Sequence, residues 1–234
     1  MLKIKSKQLY RVKITIEKFI LDMVLPNRCV RCQREGGIFC DRCKKYISII
    51  NPGYVMNDMY GFEKLLVAGL KEGWFERMVR DFKYKGRRDY GEFLAEKLGE
   101  VIFGEVKRIE IRKIVLVPLP TIRKHIRERG FDHTLRLCFE LENFLQKRLA
   151  KLGMKVEYED LLVRKNKTVQ VGKEKKERMK QAEKAYGIRE GIKIESKTLY
   201  VLVDDVTTTG ASLTAAKKIL QANLVWAAVL MKER

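Results

Sequence analysis

No stretch of this 234-residue chain approaches the length of a transmembrane helix, which argues against a bilayer-spanning protein. The opening segment is not expected to act as a signal peptide either. The opening MLKIKSKQLYRVKITIEKFILDMVL is basic and partly apolar, but Glu17, Lys18 and Asp22 interrupt its core. An amphipathic helix with Ile16, Phe19, Ile20 and Met23 along one side suits the segment better, and a soluble cytoplasmic protein is expected. Internal repeats and low-complexity tracts are absent. Acidic residues are scarce beside basic ones, 30 Asp and Glu against 50 Lys and Arg, for a formal charge of +20. That excess favours polyanionic partners such as nucleic acid, or phosphorylated substrates. It equally fits a Lys/Glu-rich surface of thermophile type with a basic tilt. Histidine is down to two residues, His125 and His133.

What is present starts with a hydrophobic content of 46%, enough for a sizeable core. The length allows one large domain, or one domain with a small module. Four of the five cysteines form Cys29-x-x-Cys32 and Cys40-x-x-Cys43, with seven residues between the pairs. A two-residue gap lets both thiolates of a pair face one point, so two pairs complete a tetrahedral sulfur site. Gly36-Gly37 permits the tight reversal between them. Structural zinc is the expected occupant, with an iron–sulfur cluster or a labile redox pair as alternatives. No thioredoxin-like βαβ context surrounds the pairs, which speaks against a redox enzyme. Four sulfurs leave no open metal position, so no catalysis is expected there. Cys138, within an apolar helical stretch, reads as a core residue.

The most informative run is VLVDDVTTTGAS, Val201 to Ser212. Val201, Leu202 and Val203 read as a buried strand. Asp204 and Asp205 follow at its carboxyl end, where open α/β sheets place their ligands. Three threonines and Gly210 then form a hydroxyl-rich turn with free N–H groups, and Ser212 starts a helix whose N-terminus points at whatever the turn holds. Unpaired amides and the helix dipole favour an anion, while two carboxylates suit the vicinal hydroxyls of a sugar. A sugar phosphate fits the whole.

Elsewhere, Phe62 to Leu70 reads as a strand or hairpin and Trp74 to Phe82 as a helix. Lys83-Tyr84-Lys85-Gly86-Arg87-Arg88 follows as a basic loop before a helix from Tyr90 to Ile102. Ile114 to Val117 is a second buried strand, closed by Pro118-Leu119-Pro120, which forbids helix and ladder alike. The basic stretch TIRKHIRERGF precedes a helix from Asp132 to about Leu149, then the apolar Leu161-Leu162-Val163. From Arg164 to Lys180 there are eight Lys or Arg against two Glu and almost no apolar anchor, as in a solvated loop or frayed helix. The Val201 strand, its helix and a strand from Val225 to Leu230 complete a βαβ pattern, so an α/β fold with a parallel sheet is expected. Domains are expected over 1–52 and 53–234.

The Val201 to Ser212 run resembles the phosphoribosyl pyrophosphate (PRPP) motif of type I phosphoribosyltransferases. The chain as a whole resembles the ComF family. The apolar N-terminal helix ending at Pro26, the four-cysteine module, Lys83-Tyr84-Lys85-Gly86, VPLP, Arg129-Gly130-Phe131, the Gln170 to Arg178 segment and LVDDVTTTG carry that likeness. It implies a type I phosphoribosyltransferase-like parallel sheet flanked by helices, plus an N-terminal zinc-finger module. Asp204 and Asp205 would be the catalytic pair holding the ribose 2′- and 3′-hydroxyls. Thr207, Thr208, Thr209, Gly210, Ala211 and Ser212 would hold the 5′-phosphate. Leu119, Pro120 and Thr121 would form the pyrophosphate loop, with Arg129 among nearby cations that include Arg123, Lys124 and Arg127. The Arg164 to Lys180 stretch corresponds to a closing lid, with Lys173, Lys175, Lys176 and Arg178 as phosphate contacts.

Two departures stand out. Asp132-His133 occupies the place usual for Asn-Gln after Arg-Gly-Phe, and Met179-Lys180 the place near Arg178 where an Asn is usual. His133 reads as a base or phosphate contact, or as a helix-capping surface residue. The implied activity is Mg²⁺-dependent phosphoribosyl transfer from PRPP to a nitrogenous acceptor, with some members linked to DNA uptake in natural competence. The alternative is a PRPP-sensing or single-stranded-DNA-binding accessory protein of competence without transferase activity. Its partners would include DNA and other competence proteins.

Overall fold

The computed structural model describes residues 12, 16, 28–35, 37–43, 45, 51–165 and 185–233. Of the expected N-terminal helix, only residues 12 and 16 fall among them. Gly36 and the expected lid beyond Lys165 lie outside them.

Six strands build one sheet: β1 (Tyr54–Met59), β2 (Phe62–Leu70), β3 (Lys113–Pro118), β4 (Lys155–Tyr158), β7 (Thr198–Thr207) and β8 (Leu224–Lys232). Their order is β1-β2-β8-β7-β3-β4, and every pairing is parallel except β1 with β2. The helices are α1 (Gly73–Tyr84), α2 (Tyr90–Val106), α3 (Arg123–Arg129), α4 (His133–Leu149) and α5 (Ala211–Leu220). The continuous apolar runs are explained by burial of both faces, as in parallel sheets generally. Leu116, Val201, Val203 and Ala228 join the core under α1, α2 and α4. Val117, Leu202, Ala227 and Val229 meet Leu213, Ala216 and Leu220 of α5 on the other face.

The sequence expectation of an α/β fold with a parallel sheet flanked by helices holds, with four local differences. The central strand β7 continues through both aspartates to Thr207, because Asp204, Val206 and Thr207 pair with Val229, Met231 and Lys232 of β8. Pro118 does not end pairing at once: the Leu119 N–H donates to the Val203 carbonyl at 2.9 Å. The Leu161 stretch leaves the main sheet, and β5 (Leu162–Arg164) pairs antiparallel with β6 (Tyr186–Ile188) as a separate ribbon. Finally α1 runs on to Tyr84, so Lys83 and Tyr84 belong to its last turn rather than to the basic loop.

The β1–β2 connection is a two-residue turn. Tyr60 and Gly61 take φ of 57° and 77°, the left-handed pair that matches the twist of antiparallel strands. The cysteine-bearing segment rests on the helices of the main body. Val30 is buried in the core with α1 and α2, and the Phe39 ring lies 5.1 Å from Trp74 and 4.5 Å from Phe93. No helix among the described residues is long and apolar enough to cross a membrane.

Candidate functional site

Side chains alternate faces along a strand, so consecutive aspartates on β7 part company. Asp205 shares its register with Val201 and Val203, on the face covered by α1 and α4. There it is buried, 4% exposed. The Lys83 ammonium at the end of α1 forms an ion pair with its Oδ2, and His133 Nε2 at the start of α4 lies 3.1 Å from the same oxygen. Its Oδ1 accepts from the Val206 N–H at 2.8 Å. Burial alone would raise the Asp205 pKa, but the His133 hydrogen bond and the Lys83 charge together hold it well below the usual carboxylate range. Lys83 is correspondingly raised: burial opposes, and Asp205 outweighs it.

Asp204 is set on the other face, in register with Tyr200 and Leu202, and is only partly covered. Its Oδ1 accepts from the Asp205 N–H at 2.9 Å. Burial first, and the neighbouring carboxylate second, push its pKa well above the ordinary value. The pair is thus divided into one fixed anion and one high-energy, reachable carboxyl group.

Past Thr207, which is buried, the chain bends through Thr208 and Thr209 to Gly210, the N-cap of α5 at φ 72°. Ala211 and Ser212 open that helix, whose first N–H groups have no intrahelical acceptors. The hairpin turn packs onto this corner. The Tyr60 hydroxyl donates to the Thr208 carbonyl at 2.7 Å, and Thr214 Oγ1 donates to the Tyr60 carbonyl at 3.3 Å. A β-carbon on Gly210 would fall 2.3 Å from Cγ of the Tyr60 ring. Gly210→Ala is therefore expected to cost about 2–4 kcal/mol, combining left-handed strain with a forced ring displacement. In a Tyr60→Ala background the cost should fall to about 1 kcal/mol, the backbone part alone. A double-mutant cycle of denaturant melts checks this.

The loop Leu119-Pro120-Thr121 is pinned from both sides. Beyond the Leu119 bond to β7, the Leu119 carbonyl accepts from Thr134 Oγ1 at 2.9 Å, and Thr121 Oγ1 donates to Asp132 at 3.2 Å. Asp132 is the N-cap of α4, accepting from the Thr134 and Leu135 N–H groups. The capping role read for His133 therefore belongs to its neighbour, and His133 is no surface residue at 3% exposure. It bridges Asp205 and Arg129, whose Nη1 lies 3.1 Å from His133 Nδ1. Arg129 also lies over the Tyr84 ring at 4.8 Å. Thus the acidic pair, the Leu119-Pro120-Thr121 loop and Arg129 come together at the carboxyl ends of β3 and β7.

Next to that loop is a cavity of about 770 Å³ between α3 and the β5–β6 ribbon, lined by Pro120, Thr121 and six Lys or Arg residues, namely Arg123, Lys124, Arg127, Arg164, Lys165 and Arg189. Two acids line it, and both are occupied: Asp132 caps α4, and Asp160 pairs with Arg189. A strongly positive hollow remains.

The four cysteines lie apart from this site. Their Sγ atoms are all within 4.8 Å of one another, and Cys32 and Cys40 are 3.6 Å apart. A tetrahedral shell of 2.3 Å metal–sulfur bonds has sulfurs about 3.8 Å apart, so the cluster fits a metal ion. Burial would raise the Cys29 thiol, but backbone donors from Cys32, Cys40 and Arg31 lower it to about 6. Burial, then the thiols around it, push Cys43 up to about 12. Cys138 is a fully buried core residue, as expected.

Lys83, Tyr84 and Tyr60 were not foreseen as site residues. The signal for Tyr60 is Tyr-Gly between two β-prone runs; for Lys83 it is the Lys83-Tyr84-Lys85-Gly86 segment that carries the family likeness, although its partner lies on β7.

No protein-family model matches the chain. The competence protein ComFC of Streptococcus pneumoniae (strain ATCC BAA-255 / R6) is 29% identical over 148 residues, which cover 63% of this chain and 59% of that protein. The match thus spans less than two thirds of the relative's length. Among solved structures, a hypoxanthine phosphoribosyltransferase from Staphylococcus aureus superposes over 62% of this chain and 65% of its own at 12% identity, with a TM-score of 0.34. The resemblance to the ComF family read from the motifs thus has a counterpart in a ComFC protein, with the four-cysteine cluster in place.

Proposed function

We propose that the protein binds PRPP with Mg²⁺ and transfers its phosphoribosyl group to a nitrogenous acceptor. The observation that carries this reading is the β7–α5 corner, where a reachable Asp204 sits one Thr-Gly turn from the unpaired amides of a helix N-terminus. In this reading Asp204 accepts from a ribose hydroxyl, and Asp205, held by Lys83 and His133, fixes the strand end beneath it. Thr208, Thr209 and the first amides of α5 hold the 5′-phosphate, as helix N-termini favour anions. The pyrophosphate lies along Leu119-Pro120-Thr121 with Arg129 and the basic cavity beyond. Mg²⁺, which takes substrate oxygens and water rather than a dedicated protein cage, offsets diphosphate charge. The C1–oxygen bond breaks towards pyrophosphate, and the oxocarbenium-like ribose is captured by the acceptor nitrogen. The chain's part is fixed charge around the leaving group and exclusion of water. The four cysteines hold a structural zinc ion with no open position.

A second reading is a single-stranded-DNA-binding accessory role in competence. The +20 charge and the positive cavity favour it. Calorimetry with Mg²⁺ and PRPP separates the two. Wild type is expected to bind, and Asp204→Asn to lose at least about tenfold in affinity while melting no lower than wild type. The substitution removes a carboxyl whose raised pKa weakens the fold at neutral pH. No PRPP binding by metal-loaded wild type, together with salt-sensitive DNA retention unaffected by Asp204→Asn, would give the second reading the lead.

A further inference from the structure

Among the described residues, His133 lies between the buried Asp205 carboxylate at the strand end and the Arg129 guanidinium beside the Leu119-Pro120-Thr121 loop. We infer that His133 is a positioning residue which, through a single tautomer, couples Asp205 to Arg129 and aims the Arg129 guanidinium at the pyrophosphate side of the site. The inference rests on the phosphoribosyl reading above for its ligand, but not for its geometry.

The tautomer follows from donor counting. A guanidinium carries only N–H donors, so Arg129 Nη1 at 3.1 Å requires a lone pair on His133 Nδ1. A neutral imidazole has one N–H, which must then be on Nε2, the nitrogen that lies 3.1 Å from Asp205 Oδ2. Both ring nitrogens are thereby used, in a residue 3% exposed. The charged and titratable groups around the ring come from every packed element. They are Lys83 and Tyr84 at the end of α1, Arg129 at the end of α3, Asp132 at the cap of α4, and Asp204 and Asp205 on β7. Asp132 is spent on capping, and Asp205 already faces the Lys83 ammonium. With the imidazole removed, Arg129 keeps its contact with the Tyr84 ring, and PRPP would meet a guanidinium no longer aimed from the His133 side.

The test compares wild type with His133→Gln and His133→Leu. A glutamine amide can accept from Arg129 and donate to Asp205, whereas leucine can do neither. At about pH 8, PRPP affinity should change by less than about threefold for Gln and fall by at least about thirtyfold for Leu. Unchanged affinity in His133→Leu, or no rescue by His133→Gln, would overturn the inference. A ligand-free readout separates its failure from that of the phosphoribosyl reading. Nitrogen-15 NMR of the intact protein near pH 8 should show His133 protonated at Nε2 only, and a proton on Nδ1 would refute the coupling whether or not PRPP binds.

Discussion

Asp205→Ala is expected to cost about 3 kcal/mol of stability, roughly 6–12 °C in melting temperature for a chain of this size. The reason is what it leaves behind. The Lys83 ammonium and His133 Nε2 both lie against Asp205 Oδ2, in a pocket where the carboxylate side chain is 5% and the imidazole 4% exposed. Removing the anion strands a mostly buried cation and a buried polar ring nitrogen. The pH dependence has a fixed sign. Asp205 is held below its ordinary pKa, so its contribution is fully present above the unfolded carboxylate value and is lost as pH falls through the lower folded value. Lys83 is raised, so its share is present below the ordinary lysine value and is lost as pH rises through the higher folded one. The gap between wild type and variant should therefore be flat across neutral pH and close in strong acid. Melts of Asp204→Asn and Asp205→Ala side by side are the sharpest form of this measurement. Adjacent residues should give changes of opposite sign, and equal losses from both would mean the charges are not divided as described.

Stripping the metal should have the second large effect. Metal analysis is expected to give one zinc per chain, lost on strong chelation or in Cys29→Ser. Structural zinc supplies about 10–16 kcal/mol to small finger modules near neutral pH, more than so short a segment gains from its own contacts. We propose that residues up to 52 form this metal-dependent unit. Without the ion, the Val30 and Phe39 anchors should release. Phe39 lies against Trp74, so the tryptophan emission should shift to the red on metal loss. Trp74 begins α1 and Lys83 is in its last turn, about 14 Å along the axis at 1.5 Å per residue. A closed sulfur site whose Phe39 packs at the other end of that helix should leave PRPP affinity within about twofold while the melting temperature falls. Emission unchanged after complete zinc removal would mean that the module does not need its ion.

Much of this was legible because the signals were local. Val201 to Val203 and Ile114 to Val117 are continuous apolar runs that only a sheet covered on both faces explains. The Cys-x-x-Cys spacing fixes a four-sulfur cluster without any tertiary knowledge. What could not be read depends on register or on distant partners. The edge strand Lys155–Tyr158 has only four residues, two of them charged, and gains its form from pairing with β3. Whether Asp204 and Asp205 share a face is decided by how far β7 stays in its ladder with β8. His133 does open α4, as its place in the sequence indicates, but its burial could not be read there because the partner that explains it lies on β7. The capping role of Asp132 was visible in principle, since Asp before an apolar helical pattern is a start signal.

The docking of the hairpin turn onto the Thr208–Gly210 corner has a consequence for how the chain acquires its shape. β2 enters the sheet only by pairing with β8, as Leu65 with Ala227, and Tyr60 meets Thr208 across nearly as long a separation. During synthesis the hairpin emerges early and must wait for both partners, so the Thr208–Gly210 corner closes late. Loop-closure entropy makes such distant parallel pairing slow. Recovery of native Tyr60 contacts should therefore trail helix formation in α2 and α4, and a chain stopped before β8 would leave β2 as an open sheet edge prone to wrong partners.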